Sequence, residues 1–403
     1  MTFATGVNKQ VKYKVESTWN TVPSASSAQA LRRVTSTLNL KKQTYESNEL
    51  LSTFQRQDFR HGIRSAEGTI TGEISPGTYK DFMAAFVRRA FTTVAASTGL
   101  SITITGTGPT WTIARSAGSW LTDGEKIGHV GRLTAGSFNA ANLNKNLLIL
   151  AVTALNLTVM PLNGVALVAE GPIASSTWTP TGKITFAPTS GHTDLSYSIE
   201  HWHQDLSLSE VFSGCKVNKM TLGLPPTGMS TIGFDFLGAQ ITTAGAEYFT
   251  SPTAQTTTGI LAAVNGIVAV GGSAVATVTG LQIEGMGSMS TEPIVGSNIY
   301  GDIAEGRILV TGNATLIFDG NTRRDEFINE TETSIVCALS ASNAANADFI
   351  SFALPRIKWG GADKDDGDKT IIQTLPFTAL YNTSGGAGIQ TEATTFQIQD
   401  SQA

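Results

Sequence analysis

Two stretches of this chain carry residue types that could do chemistry. The first is His201-Trp202-His203 with Asp205 close behind. Strand alternation would put His201, His203 and Asp205 on one face, and two imidazoles with a carboxylate can hold a transition metal. The plainer reading is a pair of strand histidines with no ion. The second is Asp363-Lys364-Asp365-Asp366-Gly367-Asp368. A calcium loop of the EF-hand type needs Gly at its sixth position and Glu at its twelfth, where this chain has Asp368 and Thr374. A solvated acidic turn is expected instead. Gly106-Thr107-Gly108 and Gly285-Met286-Gly287 lack the third glycine of a dinucleotide loop, and there is no Gly-Lys-Ser/Thr or Gly-x-Ser-x-Gly element. Cys215 and Cys337 lie in separate apolar segments and suggest no disulfide framework. The expectation is a protein without catalytic residues, metal or cofactor.

The elements around these residues say more. Gly is abundant (41 of 403 residues) and the charged fraction is 15%, which favours strands and turns over long helices. Residues 68–83 recur as 312–327, so that Gly68, Thr71, Thr78 and Asp81 fall on Gly312, Thr315, Thr322 and Asp325 at a constant offset of 244. In both copies a Thr/Ile-rich strand runs through a Gly turn into a Thr-x-x-Asp helix start, with the Thr expected at the N-cap. Earlier, Ser36–Leu40 parallels Thr279–Ile283 at an offset of 243; later, Phe212 to Val217 parallels Phe352 to Ile357, and Phe236 parallels Phe377. One supersecondary unit used twice points to assembly around a symmetry axis.

A pass along the chain gives an extended arm over 1–30, a strand from Val34 to Leu40, and a long polar connection over 41–63. A helix follows from about Tyr79 to Phe91, with Phe82, Met83, Phe86 and Val87 in one stripe. Residues 99–172 match neither copy and read as an inserted small β domain; 239–274, Thr/Ala/Gly-rich and nearly uncharged, reads as a linker or weakly structured loop. The expected division is a first domain of 1–98 plus 173–255, the insertion at 99–172, and a second domain of 256–403. No run is long enough for a membrane helix, and the N-terminus has no apolar core of a secretory signal.

Charge is uneven. Residues 1–64 carry a balance of +6 and the remainder −11. A basic nucleic-acid arm is one reading; a positive arm docking on a negative neighbouring surface is the other.

The chain resembles the tail tube (major tail) proteins of long-tailed, siphovirus-like bacteriophages. The resemblance rests on Glu16–Pro23 with Leu31–Val34, on Asn48–Leu50 and Gln57–Ser65 leading into Gly68–Ser75, on Phe212–Asn218 with Ile232–Gly238, and on Leu354–Lys358 with Leu375–Leu380. It implies a mainly β protein: two tandem β-sandwich or barrel domains of tail-tube type, each with a short flanking helix, plus the small inserted β domain. It implies a structural virion protein, not an enzyme, that stacks as rings into the hollow tail tube through which DNA passes. A duplicated member would place three chains in a pseudo-sixfold ring, although trimer and hexamer both remain open.

Implied partners are further copies of the chain, the tape measure, terminator and distal tail proteins, and transiently double-stranded DNA, with no membrane. The implied location is the virion tail after synthesis in the bacterial cytoplasm. Contact between subunits is expected from Lys41, Lys42, Tyr45, Glu49, Phe54, Arg56, Asp58, Phe59 and Arg60 in the 41–63 region with Arg64 just after it, and from Lys9, Lys12, Lys14 and Trp19 in the arm. The insertion is expected on the outside. The alternative is a carbohydrate- or receptor-binding β protein of the virion, an adhesin, using Trp111 and Trp120.

Overall fold

The computed structural model describes residues 3–162 and 164–403. Among the described residues twenty strands join into one hydrogen-bonded network beside a closed six-stranded barrel, accompanied by two short α-helices.

The first copy comprises β1 (Lys9–Val15), β2 (Thr35–Ser36), β3 (Asn39–Glu46), β4 (Phe59–Glu73), α1 (Lys80–Val87), β5 (Tyr197–His203), β6 (Leu208–Leu224), β7 (Thr231–Gly238) and β8 (Gln240–Ala244). The second comprises β9 (Gly266–Val270), β10 (Val278–Met286), β11 (Leu309–Ile317), α2 (Thr322–Ile328), β12 (Thr333–Ser340), β13 (Phe349–Trp359), β14 (Asp363–Lys364), β15 (Ile372–Ala379) and β16 (Gln397–Asp400). Antiparallel pairing runs β1-β5-β6-β7-β4-β3 in the first copy. It runs β9-β12-β13-β15-β11-β10 in the second, the same order. The register repeats as well: Phe236 faces Gly68 and Phe377 faces Gly312. Each glycine leaves room for close approach. A Cβ on Gly312 would meet the Phe377 ring, and one on Gly68 would meet the backbone at Leu38.

The two halves of β6 keep different company. Its first half lies between β5 and β8, and its second half between β7 and β10. β13 repeats the first arrangement with β12 and β16. One apolar core runs through both copies, from Tyr13, Phe82 and Phe234 to Leu281, Leu375 and Phe377. Phe82 is its hub, with ring centroids of Tyr13, Tyr197, Phe234 and Phe236 at 4.6, 5.3, 5.5 and 5.1 Å.

Several elements depart from the sequence reading. The helix ends at Val87, where Arg88 turns left-handed (φ 60°), and Phe82 to Val87 are buried all round instead of along one stripe. Neither expected threonine is an N-cap. Tyr79 and Asn321 hold those positions without side-chain caps, Thr78 bonds Ser75 and Thr256, and Thr322 is already helical. Asp81 and Asp325 do lie in first turns. Residues 1–30 contain β1, laddered to β5 over seven pairs because Val11 and Tyr13 alternate into the core. Residues 239–274 hold β8, Ser251–Thr253 and β9.

The barrel runs from Ser97–Gly106 to Glu170–Pro180 around a core with Trp111, Trp120 and Trp178 buried. It packs on the second copy, with Val130, Leu148 and Leu150 against Ala269, Val336 and Phe349. Asn146 Nδ2 donates to the Ala347 carbonyl (2.7 Å) and Ser351 Oγ to that of Gly128 (2.8 Å).

Candidate assembly interface

The two copies meet along a continuous ladder, β6 against β10, from Lys219 opposite Met286 to Leu224 opposite Leu281. Around the ladder lie ion pairs: Lys219 with Glu284 (2.7 Å), buried Lys216 with Asp194 (2.7 Å) and Asp302 (3.1 Å), and Arg88 with Glu305 (3.0 Å). Burial raises the Glu305 carboxyl above its ordinary range, and Arg88 opposes that shift. Helix α1 covers the joint, with the Phe86 ring seated on Gly285.

The same elements end unpaired at the two extremities of the double unit. Among the described residues β2 and β3 pair with β4 alone, although β10, their counterpart, pairs on both sides. Among the same residues β14 pairs with β15 alone. On α2, Phe327 and Ile328 are 38% and 63% exposed, where the corresponding Met83 and Ala84 of α1 are buried. These are one half-joint at each end.

The 41–63 region is a long hairpin of β3 and β4 whose tip, residues 48–60, is exposed throughout. Lys41 pairs with Glu67 (2.7 Å), Arg56 with Glu46 (2.8 Å) and Asp58 with Arg60 (2.8 Å), all near or on the surface, where such pairs are worth little. Lys42 and Glu49 are exposed, Tyr45 and Phe59 half so, and Phe54 is 98% exposed. Arg64 lies apart from these, at the hairpin base; its backbone N–H donates to Asn298 and its guanidinium to Gln240. Sequence reading missed Leu50, fully exposed at the tip, and Ile294 and Val295, which stand beside Tyr45 on the β10–β11 connection. An apolar pair inside a polar loop was the available signal.

The arm residues are tied into their own chain. Lys12 is buried against Glu247 and Glu200, Lys14 bonds Ser24, and Trp19 Nε1 donates to the Gly214 carbonyl (3.2 Å). Lys9 donates to the Ser36 carbonyl (2.7 Å), and burial together with Arg33 lowers its pKa.

His201, His203 and Asp205 do not converge. His201 is buried on Ser36, with its pKa lowered to about 3 by burial and by Lys9; His203 faces Glu210; Asp205 accepts from Thr5. Among the described residues no group of three or more His, Cys, Asp or Glu could hold a metal ion. Trp111 and Trp120 belong to the barrel core, so they offer no sugar-stacking surface.

Unpaired half-joints at both ends of a duplicated β unit suit a chain that continues into its neighbour. Comparison with known families agrees: the family model described as phage tail tube protein matches residues 6–379. The chain belongs to the phage tail tube protein family. As a tail tube protein it is a structural component of the phage tail. Comparison with curated proteins gives no match. The match includes the duplicated sheets as far as β15, the hairpin and the inserted barrel of this tail tube protein. Among its described residues no helix is long and apolar enough to cross a membrane.

Proposed function

We propose that this tail tube protein polymerises head to tail into rings, three chains to a ring, and that the rings stack into the hollow tube that conducts DNA. The observation that carries the reading is the β6–β10 joint. A contact already made between copies inside the chain has its two complementary halves, β14 with the end of β13 and β2 with β3, left open at the ends. Repeating that joint between chains gives heterologous contacts that close after a whole number of steps. It also removes the sheet edges, which would otherwise invite unspecific pairing. The domains are then the two copies, with the barrel inserted within the first copy's sequence and on the outside of the ring. The exposed hairpin, with Leu50 and Phe54, makes the ring-to-ring contact. The negative balance after residue 64 keeps the bore from gripping phosphate. Tape measure, terminator and distal tail proteins are the expected partners at the ends of the tube.

Negative-stain electron microscopy of the purified chain tests this. Hollow filaments or rings with three outer lobes support it; compact single particles at every concentration refute it.

A further inference from the structure

The duplication extends to a pair of matching grooves whose chemistry differs. Each opens beside a single turn of 3-10 helix that leads into an outer strand: Gly6–Asn8 before β1, and Ala263–Asn265 before β9. Val7 and Lys9 line the first groove where Val264 and Gly266 line the second, at a common offset of 257. The opposite wall also corresponds. Leu38 lies against Gly68 as Ile283 lies against Gly312, and past the bulge between Val278 and Gly280 the register puts Val34 where the second groove has Val278, with Arg32 and Arg33 next to it along the first groove.

The second groove is apolar, and its wall is completed by Leu224, Pro225 and Pro226, the turn between β6 and β7 of the other copy. Among the described residues the first groove has no such wall. It offers Lys9, Arg32 and Arg33, which bond backbone carbonyls and no carboxylate among the described residues. The counterpart of the Leu-Pro-Pro turn is the turn from β14 to β15, where Asp363, Asp365, Asp366 and Asp368 stand in a fully exposed stretch. Lys364 there is folded back over the Phe318 ring of its own chain (4.2 Å), and Asp365 Oδ1 accepts from the Ile372 N–H (2.6 Å), while the stretch as a whole stays exposed.

We infer that the acidic turn 363–368 of one chain seats in the basic groove of Lys9, Arg32 and Arg33 on the next copy, replacing by charge the apolar seat that Leu224–Pro226 takes within the chain. The inference rests on the ring reading and adds to it a rule for which surface meets which. An apolar turn fits the apolar groove and an acidic turn the basic one. The alternation of the two joints around the ring is thereby fixed, since misplacing either turn would strand charge against an apolar wall. Exposed pairs of this kind set register and encounter more than affinity, so assembly should be steered by salt.

The test is charge reversal with rescue, read by sedimentation and negative stain at low salt. Asp365→Lys/Asp366→Lys should raise the concentration needed for polymer at least roughly tenfold, as like charges meet. Lys9→Glu/Arg33→Glu should do the same. The combined variant should return to near the unmodified threshold. A matching thermal midpoint for the turn variant shows that its fold is intact, and if the groove variant fails to fold, the turn variant and a salt titration decide. Unmodified chains that polymerise while the turn variant polymerises equally well, without salt dependence, overturn this inference and leave the ring intact. Unmodified chains that never polymerise overturn the ring reading itself.

Discussion

Replacing Gly285 by alanine should strain the joint between the two copies. The added Cβ would lie 2.7 Å from Phe86 Cε1 and nearer still to Cζ, well inside ordinary van der Waals contact. Phe86 is 1% exposed and flanked by Phe82 and Val87, both fully buried, so the ring has no free space to enter. Overpacking a filled core costs about 1–3 kcal/mol. Phe86→Leu alone leaves a void and destabilises on its own account. Together the two changes exchange a ring for a methyl at one spot, so they should be less than additive, with a coupling of about 0.5–3 kcal/mol. The assay is urea unfolding of the four chains of this cycle below their polymerisation threshold, followed by far-ultraviolet circular dichroism. A Gly285→Ala chain within about 0.5 kcal/mol of the unmodified one, or strict additivity in the double variant, would refute the claim that α1 clamps the second copy through this glycine.

Three further outcomes follow from the same geometry. Leu50→Asp with Phe54→Asp should leave monomer stability within about 0.5 kcal/mol, both side chains being almost fully exposed, yet rings should no longer stack; normal tubes under the microscope would remove the hairpin from the ring-to-ring contact. Mixing turn-reversed with groove-reversed chains should give open oligomers by mass photometry, because a three-membered ring forces at least one pair of like chains together; closed rings from the mixture would indicate an even number of chains. Asp400 is buried and accepts from the N–H groups of Gly77 and Gln402 (2.8 Å each), and burial raises its pKa to about 6. The folded state therefore holds this proton where the unfolded chain has released it, and stability falls as pH rises from about 4 to 6. Denaturation against pH should show Asp400→Asn gaining about 3 kcal/mol on the unmodified chain across that window; parallel curves would contradict it.

The sequence carried the duplication plainly, because Gly68 and Gly312, like Phe236 and Phe377, hold the same places in both ladders. It misplaced the first strand by two residues: the spacing of 243 from Leu38 becomes 245 once Leu38 is set against Ile283. Such a slip leaves every side chain on the same face, so alternation alone does not detect it. β1 was hidden by its lysines. Lys12 can be buried only because Glu200 and Glu247, far along the chain, meet it there. The helix stripe failed for a similar reason, since Arg88, off the stripe, is buried by Gly287 and Glu305 some two hundred positions away. The candidate surfaces were legible as composition, an acidic turn and a basic beginning. Their relation was not, because it depends on two grooves that only the folded duplicate superimposes.

The barrel's choice of neighbour bears on how the protein is made. It branches from the first copy yet rests on Ala269, Val336 and Phe349, which leave the ribosome more than a hundred residues after Leu150. During synthesis its greasy underside has nothing to sit on, and the first sheet is still waiting for β5 to β8. A nascent tail protein therefore passes through an interval in which sticky surface is displayed beside unfinished edges, and the last strand, Gln397–Asp400, ends it when Gln399 locks onto Val130. Emergence of that strand thus becomes the moment at which the barrel is fastened to the sheet beneath it.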